Sequence, residues 1–316
     1  MITTDLAAAV EALTAHQIIA IPTETVYGLA GNAFSEEAIA KIFKLKKRPL
    51  YNPLIVHIKS VDFLTKVAQE IPEVALVLAK AFWPGPLTLV LKKRSIIPDI
   101  VTAGKDTVAI RVPNHPMTSQ LLNELDFPLA APSANPFGSI SPTTAHHVSH
   151  YFSEELDVIL DGGTCERGIE STIIGFENDL PIVYRLGSLS IEQIESKVGQ
   201  LQSNTHDDTA PKAPGMLSRH YAPSTPMRLT EKVEMMVNTF SNKKIGVLLF
   251  KNNISGIPLP QQEILSASGN LKEAAKNLYA AMHRLDKLNL DLIIAERLPD
   301  RGIGKTLNDK LSRATK

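Results

Sequence analysis

Cysteine is nearly absent from this sequence, because the 316 residues include only Cys165. A single cysteine cannot form an internal disulfide or a zinc site built from several thiolates, and it suits a reducing compartment. Long apolar stretches are missing as well, since no run approaches the roughly 18 residues that a membrane span requires. The acidic residues Asp5 and Glu11 lie in the opening segment, which therefore lacks the uninterrupted apolar stretch of a signal peptide. We therefore expect a cytoplasmic protein that does not enter a membrane.

Net charge and aromatic side chains are also scarce. Lys and Arg number 33, as do Asp and Glu, so the formal net charge is zero. No global field therefore directs the chain to nucleic acid or to an anionic membrane, and any anion site must be local. Aromatic residues make up 5%, which leaves few platforms for stacking bases. The 44% hydrophobic and 21% charged residues are ordinary values for a globular protein.

The length is about twice a usual domain size of roughly 150 residues, which predicts two domains. No large apolar residue occurs between Gln202 and Gly215, and this gap is the clearest boundary. The prolines in and just after it predict an extended, fairly stiff connection: Pro211, Pro214, Pro223 and Pro226. We predict a first domain at 1–200, a linker able to act as a lid at 201–226, and a second domain at 227–316.

Hydrophobic periodicity predicts an α/β protein whose first domain is a mixed sheet with helices packed on it. The predicted strands are 18–21, 54–58, 87–91, 108–112, 158–160 and 172–176. The predicted helices, several of which begin at a Ser, Thr or Asp cap, are 4–15, 35–43, 61–68, 73–82 and 191–198. After the linker, strands at 245–250 and 292–295 with helices at 271–288 and 307–314 suit a small parallel α/β domain.

A local cationic cluster lies between Ala38 and Val61, where no acidic residue occurs. It consists of Lys41, Lys44, Lys46, Lys47, Arg48 and Lys59. One interpretation is the solvated face of a helix. The other is phosphate binding, because the corners at Pro49 and Asn52-Pro53 hold the basic side chains in a rigid turn. The two corners favour the second interpretation.

Two polar side chains lie inside otherwise apolar predicted strands. His57 follows Leu54-Ile55-Val56, and a lone histidine in such a run is usually a satisfied core residue. Arg111 lies within 108–112, where burial of a guanidinium costs several kcal/mol unless it has an anionic or hydrogen-bonding partner. Two interpretations of Arg111 stay open, an ion pair with Asp or Glu and bidentate binding of a ligand carboxylate.

Hydroxyl, amide and carboxyl groups cluster where predicted strands begin or end, which is where open α/β sheets bind ligands. Thr23, Glu24 and Thr25 follow the first strand, and Gly168–Thr172 leads into the strand at 172–176. The segment 131–142 presents further polar groups between proline corners, namely Ser133, Asn135 and Ser141. Arg185 comes just before a helix cap. For each cluster the simpler alternative is a turn, a strand-start hydroxyl or a surface side chain.

Taken in order, these segments resemble the YrdC-type L-threonylcarbamoyladenylate synthases across roughly the first 200 residues. The motifs that carry the resemblance are Pro22–Leu29, Lys46-x-Arg48-Pro49, Asn52-Pro53-Leu54, Pro84–Thr88, Arg111-Val112-Pro113, Pro132–Asn135 and Ser171-Thr172. Pro214–Met216 and His220–Pro223 resemble the linker of the long, two-domain form. The implied fold is a YrdC-like twisted mixed sheet with flanking helices, followed by a smaller Rossmann-like C-terminal α/β domain.

The resemblance implies an enzyme, a nucleotidyltransferase that joins L-threonine, bicarbonate and ATP into threonylcarbamoyl-AMP and pyrophosphate for tRNA modification. Its basic and polar site motifs map onto Lys46, Arg48, Ser133 and Asn135. Threonine would contact Thr25, His57, Arg111, Ala131 and Ser171. ATP would contact Arg48, Asn52, Thr107, Ser133, Ser141, Arg185 and Tyr221. Lys46 would support the phosphates, Tyr221 would close over the nucleotide, and Arg111 would meet the amino-acid carboxylate, which would explain a buried charge without an internal partner.

The resemblance also implies partners. Mg²⁺ is expected with ATP, although the sequence contains no visible protein ligand set for it. A threonylcarbamoyl transferase is expected to receive the intermediate, and tRNA binding by this chain would be weak. The alternative is a non-enzymatic RNA-binding module built on the cationic cluster, against which zero net charge argues. A carbamoyl-transfer protein with the same catalytic domain would need cysteine-rich zinc elements, which one cysteine cannot supply.

Overall fold

The computed structural model describes residues 1–207, 209 and 211–316, so Asp208 and Ala210 of the predicted linker lie outside the described residues. Within this part, the first domain contains β1 (Ile2–Thr3), β2 (Ile19–Ile21), β3 (Gly28–Asn32), β4 (Ile55–His57), β5 (Leu87–Lys92), β6 (Thr107–Arg111), β7 (Leu129–Ala130), β8 (Ile159–Leu160), β9 (Thr172–Glu177), β10 (Leu180–Arg185) and β11 (Gln202–Ser203). These strands form one mixed sheet in the order β1-β8-β2-β3-β7-β4-β6-β5-β9-β10-β11. The sheet therefore continues to Ser203, beyond the predicted domain boundary at residue 200.

Helices flank this sheet and bury their apolar faces on it. They are α1 (Leu6–Thr14), α2 (Glu36–Lys46), α3 (Leu64–Val67), α4 (Glu73–Phe82), α5 (Asp99–Thr102), α6 (Pro116–Glu124), α7 (Ala145–Phe152) and α8 (Ile191–Val198). The bounds of α4 and α8 agree with the prediction. At α8 a capping box between Ser190 and Gln193 fixes the start of the helix. The predicted helix at 61–68 is a short 3₁₀ turn followed by α3.

The second domain is a small parallel α/β unit, as predicted. Its strands β12 (Met227–Thr230), β13 (Ile245–Leu249), β14 (Gln262–Ile264) and β15 (Leu292–Glu296) are all parallel and lie in the order β12-β15-β13-β14. Its helices are α9 (Val233–Thr239), α10 (Leu271–Asp286) and α11 (Ile303–Ala314). The last helix begins before the predicted residue 307, because Gly302 ends the preceding loop with a positive φ and the helix follows at once.

The central strands bring the polar groups noted above to one end of the sheet. β4 lies between β6 and β7, and its register places His57 opposite Arg111 on β6. β3 runs antiparallel to β7, and Gly28 lies so close to this region that a Cβ there would meet Ala131 Cβ at 3.1 Å. The chain therefore crowds three strand ends into a small space around Arg111.

The two domains share a hydrophobic core. Ile140 and Ile169 of the first domain and Tyr221 of the linker cluster with apolar residues of α10 and α11, among them Tyr279 and Leu311. Because these side chains are buried together, the second domain forms part of the surroundings of the strand ends. In the described part of the chain, no helix has the length and apolar character to cross a membrane.

Candidate active site

A partly enclosed cavity of about 50 Å³ lies where the strand ends meet the linker. The structure brings together nine of the residues predicted for the site as part of its lining: Thr25, Arg48, His57, Arg111, Ala131, Ser133, Ser171, Arg185 and Tyr221.

Five predicted residues do not line the cavity. Four of them lie one layer behind it, hydrogen-bonded to lining residues or to one another: Lys46, Asn52, Asn135 and Ser141. Thr107 is the exception, because it begins β6 and pairs with Lys92, whereas Arg111 ends that strand. At a rise of roughly 3.3 Å per residue, the two positions are about 13 Å apart.

Arg111 has an internal partner, so the expectation of a buried charge without one is wrong. Its Nη2 lies 2.7 Å from Glu24 Oε2, and both side chains are almost fully buried. Its Nη1 donates to Thr25 Oγ1 at 2.9 Å and its Nε to the carbonyl of Gly85 at 3.2 Å. Although Nη2 is close to the Glu24 carboxylate, the angle between them does not meet the geometry of a hydrogen bond. The guanidinium is thus held by an ion pair and keeps donor capacity toward the cavity.

His57 lines the cavity beside Arg111 and is neutral. Burial, together with the nearby Arg111 charge, lowers the pKa of His57 to about 3. Its Nδ1 has no hydrogen-bond partner among the described residues. A neutral imidazole with an unused nitrogen can hydrogen-bond a ligand without adding charge to the site.

Lys46 is buried rather than part of a basic surface. It is the last residue of α2, and Lys47 caps the helix in the left-handed conformation with φ 52. Its ammonium donates to the carbonyl of Ser133 at 2.6 Å and to that of Asn135. Burial, with Arg48 nearby, lowers the pKa of Lys46. The lysine thus fixes the loop that carries Ser133.

Arg48 brings a guanidinium to the cavity from the turn after α2. Its Nε and Nη2 donate to the carbonyls of Asn52 and Pro53 and to the Asn52 amide oxygen, at 2.7–3.0 Å. The corner at Asn52-Pro53 thus orients the side chain. Burial and the nearby Arg185 lower the pKa of Arg48 to about 9, which still leaves it cationic at neutral pH.

Arg185 reaches the cavity from β10 and holds the start of β9. It donates to the Ser171 carbonyl at 2.8 Å and hydroxyl at 3.0 Å. Gly187 permits this geometry, because a Cβ there would lie 2.2 Å from the Ser171 backbone. Among the described residues, neither Arg48 nor Arg185 has a carboxylate within hydrogen-bond distance. Neither guanidinium therefore has a hydrogen-bonded carboxylate, although Glu170 lies near enough to Arg185 for the two charges to attract each other.

The linker forms one wall of the cavity. Pro214, Gly215, His220 and Tyr221 all line it, and the Pro214 carbonyl accepts from Arg185 at 3.3 Å. Burial lowers the pKa of His220 well below its ordinary value. The Tyr221 hydroxyl is buried without a partner among the described residues. The linker therefore covers the site, as the lid prediction requires.

Sequence reasoning assigned no role to several groups at this site. Glu24 and Glu170 belong to two of the polar clusters noted in the sequence, but no role was predicted for either carboxylate. In the structure, Glu24 pairs with Arg111 and Glu170 pairs with Lys310. Lys310 and Tyr279 of the second domain both contact Glu170, and no motif pointed to them. In the sequence, the signal for Lys310 is its position on the apolar face of an amphipathic helix, three residues after Leu307 and next to Leu311.

The acidic side chains at the site are engaged by cations. Glu24 pairs with Arg111 and Glu170 with Lys310. The part of the chain that the structure describes contains no group of three or more His, Cys, Asp or Glu side chains placed to hold a metal ion. The donor set therefore does not fit a metal held by the protein alone.

Comparison with known families identifies the architecture. Residues 11–187 match the Sua5/YciO/YrdC family model, which is described as telomere recombination. Residues 189–315 match the model of the C-terminal domain of threonylcarbamoyl-AMP synthase. The chain belongs to the Sua5/YrdC family. This result confirms the resemblance seen in the ordered motifs, including the long, two-domain form.

Relatives within the Sua5/YrdC family match nearly the whole chain. The threonylcarbamoyl-AMP synthase of Pyrococcus abyssi is 41% identical and covers 95% of this chain and 90% of that protein. The threonylcarbamoyl-AMP synthase of Bacillus subtilis is 37% identical, and the match covers 98% of this chain and 92% of that protein. The crystal structure of P. abyssi Sua5 complexed with L-threonine has a TM-score of 0.92 at 39% identity, covering 98% of this chain and 94% of that one. These likenesses confirm the predicted fold.

Proposed function

We propose that this protein is a threonylcarbamoyl-AMP synthase, a nucleotidyltransferase that uses L-threonine, bicarbonate and ATP. The observation that carries the proposal is the pair of buried guanidinium groups, Arg48 and Arg185, that line one cavity without a direct carboxylate partner. Leaving such charges unpaired costs several kcal/mol, so their burial favours a polyanionic ligand. The triphosphate of ATP supplies the matching charge.

The amino-acid side of the proposal rests on Arg111 and its neighbours. Arg111, Thr25 and His57 line the same cavity as the two guanidinium groups above. Together they offer a charged donor, a hydroxyl and a neutral ring nitrogen to a small polar molecule. A threonine carboxylate bound at Arg111 would lie beside the phosphate site. The threonine complex of the P. abyssi relative supports this substrate.

The chemistry of the proposed reaction explains why the site is closed. Bicarbonate and the threonine amine first give a carbamate and water, and the carbamate readily reverts to carbon dioxide. Its carboxylate oxygen then attacks the α-phosphorus of ATP, the bond to the β-phosphate oxygen breaks, and pyrophosphate leaves. Phosphoryl-type transfer depends mainly on positioning and charge stabilisation, so fixed guanidinium groups matter more than a protein nucleophile. Exclusion of water by the linker protects the carbamate.

The remaining partners follow from the substrates. Since the acidic side chains are paired, Mg²⁺ would arrive with ATP as part of the nucleotide substrate rather than in a protein cage. The labile product requires a threonylcarbamoyl transferase that delivers it to tRNA. The buried Cys165 thiol fits the cytoplasm, where such a transfer would take place.

The RNA-binding alternative loses its basis in the structure. Lys46 and Arg48 are buried, and Lys41 pairs with Glu37 at 2.8 Å. What remains on the surface is a small set of lysines, Lys44, Lys47 and Lys59, with one exposed aromatic side chain, Tyr51. The buried Lys46 and Arg48, which the alternative needs as surface charges, are not part of this set.

Release of pyrophosphate tests the proposal. The full-length protein should release pyrophosphate only when ATP, L-threonine and bicarbonate are all present. Replacing L-threonine with L-valine, which lacks the hydroxyl, serves as a matched control and should strongly reduce release. Pyrophosphate formed at the same rate without threonine would refute the assignment.

A further inference from the structure

A lysine of the second domain lies beneath the tyrosine of the linker. Lys310 is on α11, and its side chain is 1% exposed. Its Nζ lies 2.6 Å from Glu170 Oε2 and 4.2 Å from the centre of the Tyr221 ring. Glu170 and Tyr221 both line the cavity. One buried cation from the C-terminal domain thus contacts both a wall of the cavity and the linker that covers it.

Glu170 is a fully engaged carboxylate. Its Oε1 accepts from the Ser141 hydroxyl at 2.6 Å, and its Oε2 accepts from the Tyr279 hydroxyl at 2.9 Å. Burial alone would raise the pKa of Glu170, but Lys310 and Arg185 outweigh it and hold the pKa at about 2. A carboxylate with these partners is not available as a general base. Its evident task is to anchor the ammonium of Lys310.

Contacts to its aromatic ring, rather than to its hydroxyl, fix the position of Tyr221. Its φ of 65° lies in the left-handed region, which is unfavourable for a tyrosine. The ring stacks on Tyr279 with centroids 5.8 Å apart and lies over the Lys310 ammonium. Its hydroxyl contributes no hydrogen bond to a described residue. Aromatic and cation–π contacts with the second domain therefore stabilise a backbone conformation that would otherwise relax.

The linker backbone on the N-terminal side of Tyr221 is also held by α11. The Arg313 guanidinium donates to the carbonyls of Gly215 and Leu217, and the His220 N–H donates to the Arg313 carbonyl at 3.4 Å. Three linker residues and the Tyr221 ring are therefore attached to a single helix.

We propose that Lys310 is a positioning residue that keeps the linker closed over the site through its contact with the Tyr221 ring. The lysine itself need not touch substrate, because it acts through Tyr221. The part of the proposal that concerns the linker is argued from the contacts of Lys310 and Arg313 alone. The expected effect on ATP binding rests on the proposed function, since it requires that the covered cavity bind the nucleotide.

The alternative is that Lys310 only neutralises Glu170. Three full-length variants, with single Glu170→Gln as a control, separate the two roles. Lys310→Met removes the cation and leaves Glu170 unpaired. Lys310→Arg keeps a cation over the ring. The double variant Glu170→Gln with Lys310→Met removes both charges, so that the fold has no unpaired buried carboxylate even though the ring contact is lost.

Hydrogen exchange of the linker amides 215–222 and steady-state kinetics are the two measurements. Lys310→Met should speed exchange of these amides by about three- to thirtyfold, the range expected for loss of one cation–π contact. It should raise the KM for ATP by a similar factor and change the KM for threonine less. The double variant should keep both defects, with single Glu170→Gln as its control. Lys310→Arg should restore both values.

The results that would overturn this role are distinct from failure of the proposed function. Normal linker exchange and normal ATP KM in the double variant would mean that the lysine only neutralises Glu170. Unchanged hydrogen exchange of the linker amides in folded Lys310→Met would also show that Lys310 does not hold the linker closed. If the wild-type protein released no threonine-dependent pyrophosphate but its linker still responded to Lys310→Met, the proposed function would fail and the positioning role would stand.

Discussion

At the residue scale, Arg111 combines a structural and a binding task. Glu24 supplies the counter-charge that allows a guanidinium to be buried in β6, and Thr25 and Gly85 orient it. A preoriented cation binds a carboxylate with little loss of side-chain entropy. The ion pair with Glu24 is thus compatible with ligand binding, because the Nη2 hydrogens are not aligned on that carboxylate.

Arg111→Ala should weaken threonine use far more than ATP use. Loss of charge-assisted hydrogen bonds to the amino-acid carboxylate predicts a rise in threonine KM on the order of ten- to hundredfold, with ATP KM changed only slightly. Because Glu24 is left unpaired, the free energy of unfolding should fall by about 3–5 kcal/mol. Steady-state kinetics below the melting temperature and urea unfolding measure the two effects.

Arg48→Ala is the matched control, since it removes a guanidinium from the same cavity on the proposed ATP side, where it donates to Asn52 and Pro53 rather than to a threonine-side residue. It should raise ATP KM more than threonine KM, the reverse of the pattern for Arg111→Ala. Equal losses for both substrates in both variants would refute the division of the cavity into two subsites.

At the element scale, local patterns predicted those parts of the fold that depend on local interactions. The helices α4 and α8 begin and end as predicted, because amphipathic periodicity and, for α8, a capping box are encoded within each segment. The strand β3 was not predicted. It contains Gly28 and Gly31 and is buried throughout, so it lacks alternation and β-branched residues.

The interface between α7 and α10 contains a pair of stacked histidines. The rings of His147 and His283 have centroids 4.0 Å apart, and His283 Nε2 lies 3.2 Å from the Ser141 carbonyl. Burial and nearby cations, including Lys287 for both, lower the pKa of His147 to about 3 and that of His283 to about 4. Both rings are therefore neutral at physiological pH.

Acid should destabilise the protein through His283. Its pKa in the folded state, about 4, is below the ordinary value of 6.5. As the pH falls, the unfolded chain therefore takes up the proton first, and stability present above pH 6.5 is lost between about 6.5 and 4. From pH 7 to pH 5 the loss should be about 2 kcal/mol.

His283→Gln keeps a donor for the Ser141 carbonyl and has no titrating ring. Urea unfolding at the two pH values should give a loss smaller by about 2 kcal/mol in this variant than in the wild-type protein. The same pH dependence in both proteins would contradict the assignment of a buried neutral histidine.

At the scale of the whole molecule, the second domain completes the wall behind the catalytic site. Lys310 and Tyr279 contact Glu170, and Thr306 donates to the Gly187 carbonyl at 3.0 Å. The ordered motifs predicted the family and most of the cavity, because each strand-end cluster is local in sequence. Ion pairs such as Arg111–Glu24 and Lys310–Glu170 join distant segments, so only the assembled fold reveals them.

The central claim is that this cavity couples a threonine carbamate to the α-phosphate of ATP. Mass spectrometry of the product formed with ¹³C-labelled bicarbonate, unlabelled L-threonine and ATP tests it most directly. We predict threonylcarbamoyl-AMP that carries the label in its carbamoyl carbon, formed in equal amount to pyrophosphate. An unlabelled adenylate such as threonyl-AMP, or release of pyrophosphate without any adenylate, would contradict the account.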